Sequence, residues 1–120
     1  MINFIKISQS CFEKLNKPYK TEVEKDKIIS FIFKEFKITI YYYSFGYEVS
    51  FDFFIGKNRF CLDNALIAAG CLQDEIPKFI FMSDSEIMQE HISKYVSLID
   101  KYYLSLNDTS SLLPKLTMSS

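Results

Sequence analysis

Two neighbouring stretches of this chain alternate apolar and polar residues with a period of two, and one pairing register satisfies both. Phe36, Ile38, Ile40 and Tyr42 alternate with Lys37, Thr39, Tyr41 and Tyr43; Val49, Phe51, Phe53 and Ile55 alternate with Glu48, Ser50, Asp52 and Phe54. This period, in β-branched and aromatic residues, marks strands with one buried face. A tight turn at Phe45-Gly46 sets Tyr42 against Val49, Ile40 against Phe51 and Ile38 against Phe53. The opposite face then pairs Tyr43 with Glu48, Tyr41 with Ser50 and Thr39 with Asp52. A second turn at Lys34-Glu35 brings Phe33 to Phe36, Phe31 to Ile38 and Ile29 to Ile40, so Ile28 to Phe33 joins with the same face apolar. A slip of one residue would turn every side chain over. Lys34-Glu35 lacks the Gly or Asn that two-residue hairpins favour, so a bulge or one long bent strand stays open there. Thr21 and Val23 hint at a weaker strand in front.

Helices flank this sheet. Ile5, Ser8, Cys11, Phe12 and Leu15 recur at three- and four-residue steps, and Pro18 stops the run. Leu62, Ala65, Leu66 and Ala69 predict a short helix over 62–69, with Gly70 suited to its C-terminal cap. Gln73 to Lys78 reads as a loop, and Lys78 to Met82 as a short strand or a packed connection. Ser83-Asp84-Ser85-Glu86 reads as a capping box in which Ser83 and Glu86 satisfy each other's backbone N–H groups. A stripe of Met88, Ile92, Tyr95, Val96, Ile99, Tyr102, Tyr103 and Leu106 follows. The expected architecture is α+β: an N-terminal helix, an antiparallel β-meander of three to four strands, a short helix, and a long C-terminal helix packed on one face of the sheet. Residues 1–106 form a single domain, and 107–120 a polar C-terminal tail expected to be partly disordered.

With 120 residues there is room for one domain, and twelve Phe and eight Tyr supply core area without any Trp. A formal charge of −1 gives no reason to expect nucleic acid as a direct partner. The charge is uneven: residues 1–60 carry ten Lys/Arg against seven Asp/Glu, and residues 61–120 four against eight. An acidic half attracts basic partners. No stretch is long and apolar enough to span a bilayer, and no signal peptide is read at the N-terminus. Three cysteines without CxxC spacing (Cys11, Cys61 and Cys71) argue against a disulfide framework or a zinc site and fit a reducing, cytoplasmic compartment.

No catalytic or metal-binding constellation stands in the sequence, and no cofactor is expected. His91 is the one histidine, read as bordering the buried stripe of its helix. Cys61 sits where a helix N-cap is expected, a place that activates thiols, so an enzyme using Cys61 or His91 is one of the readings kept open. Gly46, Gly56 and Gly70 are too far apart for a phosphate loop. The outer sheet face is more informative. Tyr41 and Tyr43 beside Glu48 and Asp52 give a candidate protein-binding patch, because tyrosine supplies area and a polar handle at low entropic cost. The acidic Asp74, Glu75, Asp84, Glu86 and Glu90 of the second half are candidates for steering a basic partner.

The strand run Lys37-Ile38-Thr39-Ile40-Tyr41-Tyr42-Tyr43, the Tyr47-Glu48-Val49-Ser50-Phe51-Asp52 strand, the Leu62-Asp63-Asn64-Ala65-Leu66 helix and the closing helix ending Asp100-Lys101-Tyr102-Tyr103 follow the amphipathic first helix in order. In this layout, over residues 1–106, the chain resembles the small cytoplasmic immunity proteins of bacterial contact-dependent inhibition and related polymorphic toxin systems. The resemblance implies a monomeric inhibitor without turnover that covers a cognate toxin domain, its acidic half meeting a basic groove. The net charge is less acidic than that of many nuclease inhibitors, which leaves the toxin's activity open. A dimeric secretion-type chaperone holding a partner segment fits the size and layout too.

Overall fold

A computed structural model describes residues 2–118. Five strands form one antiparallel sheet in the order β1-β2-β3-β4-β5: Lys20–Glu24, Ile28–Ile32, Lys37–Tyr43, Glu48–Ile55 and Asn58–Cys61. The helices are α1 (Phe4–Phe12), α2 (Leu62–Ala68), α3 (Ser85–Lys101), α4 (Tyr103–Asn107) and α5 (Thr109–Met118), with a single 3₁₀ turn at Gln73–Glu75.

The register follows the hydrophobic alternation. Ile38 faces Phe53, Ile40 faces Phe51 and Tyr42 faces Val49. Ile29 faces Ile40 and Phe31 faces Ile38. The Lys34-Glu35 turn closes tightly, with Phe33 N–H donating to the Phe36 carbonyl at 2.8 Å. Ile29, Phe31, Ile38, Ile40 and Phe53 have no exposed surface, and each such side chain contributes about 1.5–3 kcal/mol. The β3–β4 connection is looser than a two-residue turn. Tyr43 pairs with Glu48, leaving four residues in the loop, and Tyr47 rather than Gly46 takes the left-handed backbone, at φ 52°.

The apolar face is roofed by α1 and α3 together, with α2 and α4 adding to the same core, not by the C-terminal helix alone. Phe12 of α1 stacks on Phe31 with ring centroids 3.7 Å apart, and Phe4 stacks on Tyr42 at 5.6 Å. Tyr95 of α3 stacks on Phe51 at 4.2 Å. The two helices touch through small side chains, with Ser93 Oγ 3.4 Å from Cys11 Sγ.

Four further expectations are corrected. A fifth strand, β5, follows a turn in which Gly56 takes φ +58° and Ile55 pairs with Asn58. The N-cap of α3 is Asp84, not Ser83: Asp84 Oδ1 accepts from Ile87 N–H at 2.9 Å. The long helix is interrupted at Tyr102, whose backbone turns to φ −105°, ψ 17°. The polar tail expected to fray is helical over Thr109–Met118, where Leu112 and Leu116 are buried; residues 119 and 120 lie outside the described residues. Lys78 to Met82 is a connection without strand pairing. The end of α2 matches its expectation closely. Gly70 at φ +113° donates to the Ile67 carbonyl, and Cys71 N–H donates to Leu66, the paired bonds of a Schellman cap.

Candidate partner-binding surface and adjoining cleft

No helix is needed to shelter the middle of the outer sheet face, because its own polar side chains do so. Ser30, Thr39, Asp52 and Cys61 stand in one row across β2 to β5, set by the register. The Ser30 and Thr39 hydroxyls share a hydrogen bond at 2.8 Å. Arg59 folds over Asp52, with Nε 2.8 Å from Oδ2, and only 9% of Asp52 remains exposed. Tyr41 lies beside this pair; burial first, then the Asp52 charge, raise its phenol above the ordinary value. Tyr41 and Tyr43 lie with centroids 6.4 Å apart. Of the outer-face candidates, Tyr43 and Glu48 therefore project freely, Tyr41 is half-buried, and Asp52 spends its charge on Arg59.

Aromatic exposure peaks at one end of the sheet. Phe45, at the tip of the β3–β4 loop, is fully exposed, and Tyr43 and Tyr47 flank it with about half their surface in water. The segment 77–82 crosses beside this loop, anchored by Met82 N–H donating to the Tyr47 carbonyl at 2.7 Å. It adds Phe79 and Phe81, exposed and packed edge to face at 5.1 Å. Met82 itself is buried and pins the segment. Solitary exposed rings are ordinary, whereas a contiguous group marks an interaction surface. Phe45, Tyr47, Phe79 and Phe81 lie in loops, where no periodicity signals them; their one sequence cue is the density of rings.

Next to this end lies a cleft of about 270 Å³. Because β5 pairs only with Asp52–Ile55, the edge of β4 at Val49–Phe51 is uncovered there. The cleft runs between this edge, the corner formed by Cys61 and Asp63, and His91 and Tyr95 of α3; Pro77 and Phe79 also line it. The Tyr95 hydroxyl donates to Asp63 Oδ1 at 2.8 Å, and burial followed by Asp63 pushes its pKa up. His91 is 5% exposed, and its imidazole makes no hydrogen bond among the described residues. Burial, with the Lys94 charge next, lowers its basicity, while Asp63 opposes them. Cys61 is exposed at the N-cap of α2 without a side-chain capping bond. The structure thus gathers Cys61 and His91 into one cleft but gives them no mutual hydrogen bond, which a nucleophile and its base require. Among the described residues no group of three or more His, Cys, Asp or Glu is placed to hold a metal ion.

The acidic candidates separate into working and free groups. Glu75 is a structural clamp: it accepts from Lys101 Nζ at 2.8 Å, from the Tyr102 hydroxyl at 2.6 Å and from Leu72 N–H at 3.0 Å. These donors, Lys101 foremost, hold its carboxyl down at about 2. Asp84 is spent on the α3 cap, and Glu90 pairs with Lys94 along the helix at 3.5 Å. Asp74 and Glu86 are exposed and make no ion pair among the described residues. No helix among the described residues is long and apolar enough to cross a membrane. Set against known protein families, curated proteins and solved structures, the chain matches none.

Proposed function

We propose that this chain works by binding a protein, as an immunity protein that neutralises a cognate toxin domain in the cytoplasm without catalysis. The observation that carries this reading is the exposed aromatic end formed by Tyr43, Phe45, Tyr47, Phe79 and Phe81. Aromatic residues are enriched in the buried cores of protein interfaces, and tyrosine among the residues that dominate their energy. Tyr47 adds weight, because a bulky residue in the left-handed region costs roughly 1–2 kcal/mol, and such strain concentrates at functional positions. Glu48, Glu86 and Asp74 supply negative charge for steering a basic partner; Glu48 directly follows Tyr47 in the chain.

The test starts from the gene immediately upstream, expected to encode a large secreted protein ending in a toxin domain. Producing that domain in a bacterial host should arrest growth, and co-producing this chain should restore growth and yield a stable complex. Phe45→Ser with Phe81→Ser should abolish protection while leaving the fold intact. Charge reversal at Asp74 and Glu86 should slow association at low salt and leave dissociation nearly unchanged. A domain that kills equally with and without this chain overturns the proposal.

A further inference from the structure

The cleft beside the aromatic end has a chemistry of its own, and we propose that it is an anchor pocket for one cationic side chain of the protein partner, arginine in preference to lysine. The inference rests on the binding role argued above and names what the partner inserts.

Volume comes first. About 270 Å³ falls just short of the ~300–1,000 Å³ of small-molecule sites and suits a single long side chain. Polarity comes next. Among the described residues Asp52 and Asp63 line the cleft and no lysine or arginine does; Lys94, whose charge reaches His91, stands outside the lining and is paired with Glu90. Arg59 already neutralises Asp52. Asp63 has only the Tyr95 hydroxyl, on Oδ1, and makes no ion pair among the described residues. An anionic guest would meet this uncompensated carboxylate. An apolar guest would seal His91 away from water with its ring nitrogens unpaired, which costs about 1–3 kcal/mol. Both unused acceptors, one on Asp63 and one on the neutral imidazole of His91, instead suit a group made only of donors.

Arginine fits better than lysine because of the walls. Phe51 and Tyr95 stack at 4.2 Å, His91 stands edge-on to Tyr95 at 5.3 Å, and Phe79 lines the cleft with more than half of its own surface in water. A planar guanidinium stacks on the exposed Phe79 ring while its edge reaches the acceptors; an ammonium ion remains strongly hydrated and lacks the plane.

The test is an NMR titration of the full chain with Nα-acetyl-arginine amide, its lysine counterpart, and the neutral isostere Nα-acetyl-citrulline amide. Arginine should shift the His91 ring and the Asp63 amide, lysine less, and citrulline not at all. Asp63→Asn keeps an acceptor for Tyr95 and should weaken arginine binding about tenfold or more. His91→Phe, which keeps a ring and removes the acceptor, should weaken it too, and melting curves show that each variant folds. Citrulline binding as well as arginine, or arginine leaving His91 unmoved, overturns the pocket. With the toxin domain, loss of binding by Phe45→Ser and Phe81→Ser but not by Asp63→Asn keeps the surface and removes the anchor. Arginine amide seated in the cleft of a chain that binds no toxin domain removes the protein source of the guest and the surface reading with it.

Discussion

Replacing Phe31 by alanine tests whether α1 is bound to the sheet by ring packing. Phe31 has no exposed surface, lies flat against Phe12 at 3.7 Å and meets Tyr19 edge-on at 5.5 Å. Truncating a buried phenylalanine costs about 3–5 kcal/mol, the transfer energy plus the cavity left behind. Against a total of about 5–15 kcal/mol for a domain, the variant should keep a fraction of the native stability and unfold in urea about 2 M earlier. The pair itself is worth less than its proximity suggests. Rings 3.7 Å apart and 5° from parallel approach the face-to-face arrangement, which is weaker than offset or edge-on contact, so a Phe12→Ala, Phe31→Ala cycle should give a coupling near about 0.5 kcal/mol. Far-ultraviolet circular dichroism follows the transition, and Val23→Ala on the exposed edge strand β1 serves as the control. A loss below about 1 kcal/mol for Phe31→Ala, typical of a surface site, would refute the assignment of this ring to the core.

Glu75 should govern acid sensitivity: its folded-state carboxyl is held at about 2 against an ordinary 4.5, so its contribution is complete above the ordinary value and is lost as pH falls toward 2. Acid titration of Glu75→Gln should show a stability difference from the native chain at pH 7 that closes across that window. His91 should act in the same direction at higher pH, because burial lowers its pKa from 6.5; stability declines as pH drops below the ordinary value, and His91→Gln should flatten that limb of a thermal-melt series. Gly70→Ala, forced into φ +113°, should cost at least about 1 kcal/mol by chemical denaturation. Tyr95→Phe removes the bond to Asp63 and should cost about 1 kcal/mol.

The meander could be read from the sequence because two pieces of evidence had to agree. Alternation set which residues face inward, and only one register kept Ile29, Ile40 and Phe51 on the same face. Strand β5 offered no such check: Asn58-Arg59-Phe60-Cys61 is short and mostly polar, and the left-handed Gly56 that starts its turn also fits a plain loop. Missing β5 hid the partner of Asp52, since Arg59 stands on it. Ser83 and Asp84 are adjacent capping residues, and local pattern cannot choose between them. The tail carried a real signal in Leu112 and Leu116, one helical turn apart, outweighed by its serines. The cleft was beyond reach of any spacing rule, because it joins four residues of β4 to one or two each from β5, α2, the 77–82 segment and α3.

Strand order equal to chain order has a consequence for synthesis. Each hairpin can zip as it leaves the ribosome, with its partner already present. The sheet is complete at Cys61, but the last residue of α3 is Lys101. At 5–20 residues per second, that interval lasts roughly 2–8 s. For much of it the nascent sheet lacks the cover of α3, and Phe51, destined for Tyr95, is exposed to water or an escorting chaperone.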